Sequence, residues 1–210
     1  MRNIRSVIVS FAFVVAAIVA PGLAHAQGMT ESHDAKLWLG GHLGLSPIGT
    51  LKAEALGTSA SVDAATAFEI GGRAEYQIMP LLSIGFAPSI MLNVKAKDAD
   101  NSSSQLDLPL RIVAGGDVAP KIRLYGFAAP GYTIMFPPSD SMGNTTHPSG
   151  FMIGFGGGVG YRVAPRFSLN GELGYQFRFV SETAMVGSQS VDVSGQFNYL
   201  TFTVAAVAGL

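Results

Sequence analysis

The 210-residue chain has no cysteine, little charge and, beyond its first 26 residues, no long apolar run. Without cysteine, disulfides, thiolate metal sites and a lipid-modified cysteine at the N-terminus are excluded. Charged residues are 13% of the chain against 48% hydrophobic ones, too few to cover the exterior of a typical soluble barrel. No later stretch approaches the roughly 18 consecutive apolar residues that indicate a membrane helix. The formal net charge is only −1, so nucleic-acid binding is not expected.

The first residues have the pattern of a secretory signal peptide. Arg2 and Arg5 precede an apolar run over residues 7–19, and small residues flank His25 in Ala24-His25-Ala26. This predicts a signal peptide over residues 1–26, cleaved before Gln27, and an N-terminal periplasmic linker over residues 27–35. An uncleaved membrane anchor is the alternative, but the run is shorter than the roughly 20 residues that a bilayer crossing needs.

The apolar residues that remain are dispersed by alternation. From Phe167 to Phe179, every odd position is apolar or glycine and every even position is polar or glycine, which predicts a strand with one apolar and one polar face. Lipid tolerates only helices and closed barrels. The sequence therefore predicts an all-β fold, an eight-stranded antiparallel up-and-down transmembrane β-barrel over residues 36–210. The eight segments are 36–46, 66–78, 81–94, 105–118, 121–136, 150–163, 166–180 and 196–210.

The predicted connections alternate in length. Three are tight and contain proline, at Pro80, Pro120 and Pro165, where a residue without an N–H donor is tolerated. Four are longer and polar, over residues 47–65, 95–104, 137–149 and 181–195. Short periplasmic turns and longer external loops are typical of outer-membrane barrels, which places both termini in the periplasm. The loops are short enough that no large protruding sheet is expected.

The last strand supports a resemblance at the level of the family. Phe202, Val204, Ala206, Ala208 and Leu210 alternate up to the C-terminus. With the strand pattern, this resembles the small outer-membrane β-barrel proteins of Gram-negative bacteria, including the OmpA and OmpX type. The resemblance implies an outer-membrane location, lipids and lipopolysaccharide as neighbours, recognition by the barrel-assembly machinery, and a monomer. The usual terminal residue is aromatic, and here it is leucine.

The phase of each strand assigns charges to the barrel interior. A lipid-facing Arg or Lys near the bilayer midplane costs about 2–4 kcal/mol, so charges are expected inside; a lipocalin-like soluble barrel would put its apolar face there. Five acids and five arginines favour pairing, with Glu172, Arg73 and Arg111 at the centre of a network that closes the lumen. A gated pore is the alternative. The inward charges are Glu69, Arg73, Glu75, Asp107, Arg111, Asp117, Arg123, Arg162, Glu172 and Arg178.

Four glycines share the inward face of the sixth predicted strand: Gly154, Gly156, Gly158 and Gly160. They lack the third glycine of a dinucleotide-binding motif and the Lys-Ser/Thr of a P-loop. We interpret them as space for large side chains from neighbouring strands, such as Tyr125 and Phe127.

His147-Pro148-Ser149 resembles the H-x-S element of the lipid A 3-O-deacylase family, in which the histidine pairs with a later glutamate. Parity sends Glu172 into the lumen, and Glu182 lies in the fourth loop, so the expected interpretation is a loop histidine rather than an enzyme. The histidines lack metal-ligand spacing. Neither a metal nor a cofactor is expected.

Two further features depend on phase. Aromatic residues near strand ends suit a membrane-interface girdle, but Trp38 falls on the inward phase. In the last strand the apolar positions switch from odd to even at Tyr199-Leu200, which predicts a β-bulge or the upper limit of the membrane-embedded part. The leading functional hypothesis is a structural or surface-interaction barrel; a small pore or transporter for small solutes is the alternative.

Overall fold

The computed structural model describes residues 36–55, 57–138, 147–186 and 189–210. The signal peptide and linker that the sequence predicts lie outside these residues. The described part consists of strands and their connections, and it contains no helix long and apolar enough to cross a membrane. The strands are β1 (Leu37–Ala55), β2 (Thr58–Asp63), β3 (Ala67–Met79), β4 (Leu82–Phe86), β5 (Ser89–Val94), β6 (Ser103–Ala119), β7 (Ile122–Phe136), β8 (Ser149–Ala164), β9 (Phe167–Val186) and β10 (Gln189–Gly209).

The sheet closes on itself because β1 pairs with both β3 and β10. All pairings are antiparallel, and neighbouring strands follow chain order around the ring. β4 and β5 both pair with β3 and β6, so together they occupy one strand position of the barrel, which we call a stave. β2 pairs only with β1 and lies outside the ring. The ring thus has eight staves, and the predicted up-and-down barrel is confirmed.

The short connections lie where proline predicts them. Two-residue turns at Pro80-Leu81, Pro120-Lys121 and Pro165-Arg166 join β3 to β4, β6 to β7 and β8 to β9. Both described chain ends lie beside these turns, since Gly209 donates its amide to the carbonyl of Arg166 and Leu210 donates its amide to that of Leu37. We call this the short-turn end, and the opposite end the long-loop end.

The expectation of loops over residues 47–65 and 181–195 is wrong for most of their length. β1 continues to Ala55 and turns back as β2, while β9 and β10 pair as far as Val186 and Gln189. Together with β2, these extensions form a protruding sheet in the order β2-β1-β10-β9, which we call the long-loop sheet. Its strands are rich in Ser, Thr and Asp, a composition shared by loops and by strands whose outer face meets water.

The predicted faces are confirmed. The apolar positions assigned outward are exposed or half-exposed, among them Phe68, Ile84 and Leu110, each more than 40% accessible. Tyr76, Tyr132 and Tyr161 face outward near strand ends, where a girdle is expected, whereas Trp38 lies on the inward side. An apolar exterior around a polar interior is the arrangement that lipid requires of a barrel.

Three prolines inside strands were not anticipated. Pro88 splits the predicted third strand into β4 and β5, and Pro109 and Pro130 lie in β6 and β7. Between Phe86↔Leu110 and Ser89↔Asp107 the pairing is interrupted without a change of register, and the same happens between Pro109↔Gly131 and Ile112↔Ala128. Each proline lacks a donor, so this part of the wall has fewer interstrand hydrogen bonds.

The irregularity predicted at Tyr199-Leu200 is in the neighbouring strand. β10 pairs with β9 in one register from Gln189 to Ala208, so it contains no bulge. The extra residue lies in β1, where the register with β10 shifts between Leu45 and Ile48. The alternative prediction, that the membrane-embedded part ends near Leu200, fits the structure. Beyond Leu200, toward the long-loop end, the apolar residues of β10 face the barrel interior and the polar residues face outward.

Candidate functional site: the filled lumen

The half of the lumen nearer the short-turn end, which we call the lower half, is centred on Glu172 of β9. Its Oε1 accepts hydrogen bonds from Arg73 Nη1 at 2.7 Å, Arg111 Nη2 at 2.8 Å and Tyr125 Oη at 2.7 Å. Its Oε2 accepts from Arg73 Nη2 at 2.8 Å and Arg111 Nη1 at 3.4 Å. Glu75 lies 3.2 Å from Arg111 Nε and 3.7 Å from Arg73 Nε. These five residues, the lower cluster, combine two arginines with two glutamates and carry no net charge.

Glycines on β8 make room for this cluster. A Cβ on Gly158 would lie 2.7 Å from Tyr125 Oη and 2.9 Å from Glu172 Cγ, whereas one on Gly156 would first meet the β9 backbone at Leu173 and Gly174 and then Phe127 Cζ at 2.8 Å. The Arg111 guanidinium stacks over the Phe127 ring at 4.2 Å. The predicted reason for the inward glycines, space for large side chains, is therefore confirmed at Gly158; at Gly156 the close approach of the β9 backbone also requires glycine.

The upper half of the lumen holds a second cluster around Asp107. Its Oδ2 accepts from Arg178 Nε at 2.9 Å and Nη2 at 2.6 Å. Its Oδ1 accepts from Gln105 Nε2 and Thr133 Oγ1, both at 2.7 Å. Arg178 is completely buried, and it also donates to Gln176. Both carboxylate oxygens thus have partners, as a buried charge requires.

Glu69 and His42 complete this upper cluster on the opposite wall. His42 Nε2 lies 3.2 Å from Glu69 Oε1, and Gln176 Nε2 lies 3.5 Å from Glu69 Oε2. Gln176 therefore links Glu69 to Arg178. The cluster comprises His42, Glu69, Gln105, Asp107, Thr133, Gln176 and Arg178.

An apolar cap closes the lumen at the long-loop end. Ala67, Met91 and Tyr199 are fully buried there, and Leu51 and Phe197 of the long-loop sheet pack against them. The Tyr199 ring lies 5.7 Å from the Arg178 guanidinium, so the cap rests directly on the upper cluster. The remaining members are Ala64, Val94 and Met135.

The predicted interior charges do not all join one network. Arg162 pairs with Asp117 at 3.2 Å near the short-turn end, where both are partly exposed. In the described part of the chain Arg123 makes no ion pair, although its Nη2 is buried. Seven of the ten charges therefore lie in the two clusters and three lie below them.

Little free space remains between the layers. A cavity of about 40 Å³ lies between the two clusters, lined by His42, Arg73 and Glu172 among others. An open cavity of about 450 Å³ lies below the lower cluster, at the short-turn end. A continuous aqueous path would have to pass the Glu172 bonds, the Asp107 bonds and the apolar cap in turn.

The His147 and Ser149 pair has other contacts. The His147 ring packs against Phe136 with centroids 5.1 Å apart, and Ser149 Oγ accepts a 2.6 Å hydrogen bond from Tyr132 Oη. Among the residues that the structure describes, neither bonds to a carboxylate, and Glu172 lies in the lumen. A triad geometry is not assembled.

Several partners within the lumen were missed from the sequence. Gln105, Thr133 and Gln176 all lie on the inward phase of their strands. They are neutral, so a prediction made from charged residues alone leaves them out. The described residues contain no group of three or more His, Cys, Asp or Glu side chains that could hold a metal ion.

A closed ring of eight antiparallel staves, apolar outside and polar within, defines the class of transmembrane β-barrels. The model of the outer membrane protein beta-barrel domain matches residues 12–206, most of the chain. The chain belongs to this family and is a protein of the bacterial outer membrane. A search of curated proteins finds no match.

Solved structures show the same fold at low identity. Neisserial surface protein A is 15% identical with a TM-score of 0.56, covering 84% of this chain and 98% of its own. AlkL, determined in DMPC bilayers, is 13% identical with a TM-score of 0.55, covering 87% of this chain and 94% of its own. At these identities the likeness extends to the fold alone.

Proposed function

We propose that this protein is a closed outer-membrane barrel with a structural or surface-interaction role, rather than a pore. The observation that carries the proposal is the filled lumen: two hydrogen-bonded clusters and an apolar cap lie in series across it. An eight-stranded barrel is just wide enough for side chains to fill. Opening a path would break several buried ion pairs at once, each costing several kcal/mol.

The long-loop sheet is the part that the proposal assigns to the cell surface. It extends the wall beyond the membrane and presents polar side chains outward, including Lys52, Asp192 and Ser194. The short-turn end, with both termini, faces the periplasm in this proposal. Lipopolysaccharide and other outer-membrane lipids surround a monomer, which the barrel-assembly machinery inserts through β10.

The orientation of the barrel in the outer membrane is tested on whole cells. An epitope inserted in residues 139–146 is expected to react with antibody on intact cells, whereas one at Pro120-Lys121 is expected to react only after the outer membrane is permeabilised. The reverse labelling would contradict the orientation. Heat-modifiable gel migration of both variants shows that each is folded.

A small-solute pore is the second candidate, and the open cavity at the short-turn end is the observation that favours it. Planar-bilayer recording separates the two functions. A closed barrel is expected to show no stable large conductance, whereas a solute pore shows one in the wild type. We propose no enzymatic activity, because His147 and Ser149 have no carboxylate partner among the described residues.

A further inference from the structure

The open cavity at the short-turn end, which we call the vestibule, has features of a binding site. Its volume of about 450 Å³ is within the range of small-ligand sites, about 300–1,000 Å³. Glu75 and Tyr125 of the lower cluster form its inner end, so it is a pocket rather than part of an open channel. The walls come from strands on all sides of the barrel.

Charge in the vestibule is not balanced. The lower cluster is neutral in itself, and Asp117 is paired with Arg162. The other charged residues that line the space are Lys36, Lys121 and Arg123, and none of them makes an ion pair within the described ranges. Three positive charges therefore remain in a concave site, where low-dielectric walls concentrate their field.

Arg123 is the cation placed deepest on the wall. Its neighbours in register are Asp117 on β6 and Gly160 on β8. Its Nη2 is buried without a hydrogen-bond partner. Arg123 also lines the vestibule, so the part of its guanidinium that faces the cavity can bind an anionic group with a charge-assisted hydrogen bond.

The rest of the wall is largely apolar. Met79, Leu81, Val113 and Val207 line the vestibule together with Trp38. Trp38 is the only tryptophan in the chain, and it lies on the inward face of β1 rather than in the outer aromatic girdle. An aromatic ring beside unpaired cations fits a ligand that has both an apolar body and an anionic group.

We propose that the vestibule binds a small organic anion, with Arg123 contacting the anionic group and Trp38 packing against the apolar body. Lys36 and Lys121, which are exposed at the mouth, attract the anion into the site. Binding in the vestibule does not depend on whether the lumen conducts, because the vestibule lies below the lower cluster. Binding and conductance are measured separately.

Trp38 itself reports on the site. The probe is benzoate, with benzamide as its neutral counterpart of similar shape, added to the refolded protein in lipid nanodiscs. Benzoate is expected to change Trp38 fluorescence saturably and to release binding heat in calorimetry, beyond the response of empty nanodiscs. Equal responses to benzoate and benzamide, or no saturable response to benzoate, would overturn the proposal.

Two arginines at the same end supply a matched pair of variants. Arg123→Gln is expected to weaken benzoate binding about tenfold, the loss of one charged hydrogen-bonding partner. Arg166→Gln removes the same charge from a turn that does not line the vestibule, and is expected to leave affinity unchanged. Equal effects of the two variants would show a general charge effect and contradict the assignment.

Lys121→Gln provides a second variant that does not depend on a buried group. Lys121 is exposed on a turn, so its replacement leaves the barrel folded, as heat-modifiable migration should show. Benzoate affinity is expected to fall about threefold, since a solvent-exposed cation contributes less than a buried one. An unchanged affinity in both Arg123→Gln and Lys121→Gln would contradict the proposed site.

Discussion

The transmembrane part of the barrel and the long-loop sheet follow the same strand periodicity with opposite polarity. On β10 the outward positions change from Phe202 and Val204 in the transmembrane part to Asp192 and Ser194 in the long-loop sheet. The inward positions change from polar Thr201 and Thr203 to apolar Phe197 and Tyr199. Backbone geometry fixes which side chains share a face, and the surrounding medium decides which face is apolar.

The same difference explains how each region is stabilised internally. In the transmembrane part the interior is polar, and the buried charges of Glu172 and Asp107 are held by arginines and neutral hydrogen-bond donors. At the long-loop end the interior is an ordinary apolar core around Met91 and Tyr199. Closure of the lumen therefore rests on two physically different kinds of packing in series.

The largest loss of stability is expected from Glu172→Gln, which changes the polar interior of the transmembrane part. The substitution removes the acceptor charge that holds Arg73 and Arg111, and leaves two buried guanidinium groups with Glu75 alone. Breaking a buried pair costs about 3–5 kcal/mol in free energy of unfolding. Urea titration in lipid vesicles, read by gel migration, measures it. A loss below about 1 kcal/mol would show that the cluster is solvated, because exposed pairs contribute that little.

The change of polarity along β10 is tested by two arginines on one face. Phe202→Arg places a charge on the lipid-facing surface and is expected to cost about 2–4 kcal/mol. Ser194→Arg lies eight residues earlier on the same outward phase, in the long-loop sheet, and is expected to change stability by less than about 0.5 kcal/mol. Similar losses for both variants in the vesicle titration would mean that lipid reaches Ser194.

A smaller effect is expected from Gly158→Ala. The new methyl group would lie within 3 Å of both Tyr125 and Glu172 and would displace them, at a cost of about 1–3 kcal/mol in unfolding free energy. Gly154→Ala is the control on the same face of β8, since its Cβ would meet nothing closer than 3.5 Å. Comparable unfolding midpoints for the two variants would contradict the packing described for the lower cluster.

The smallest effect is expected from Asp117→Asn. Asp117 pairs with Arg162 where both side chains are more than 20% exposed. Screening by water limits such a pair to about 1 kcal/mol or less. The same urea titration is expected to show a loss well below that of Glu172→Gln. A larger loss would place Asp117 in the buried network instead of the vestibule wall.

The sequence predicts the barrel well because its main signals are local. Alternation assigns the faces, and proline locates the tight turns at Pro80, Pro120 and Pro165. Proline does not mark a turn at Pro88, Pro109 and Pro130, which lie inside staves, where proline is uncommon. Composition also predicts loops where the long-loop sheet lies, since a strand whose outer face meets water has the composition of a loop.

The contacts inside the lumen depend on register, which is not a local property. Parity places Glu69 and His42 inside, but they are 27 residues apart and meet only because Gly44, not His42, pairs with Glu69 in the ladder between β1 and β3. Gln105 and Thr133 fall on the inward phase of predicted strands, but their bonds to Asp107 follow only from the alignment of β6 with β7. The sequence does group Glu172 with Arg73 and Arg111, because all three lie near mid-strand on the inward phase, and the structure joins them. The pairs around Asp107 and Glu69 depend on register and were not predicted.

Closure of the lumen is tested most directly by planar-bilayer conductance of the wild-type protein and Glu172→Gln. We expect no stable, large open state in the wild type and a higher conductance in the variant, in which the lower cluster is loosened. A stable large conductance in the wild type, or identical traces for a folded Glu172→Gln variant, would contradict the assignment of Glu172 as the centre of the closure.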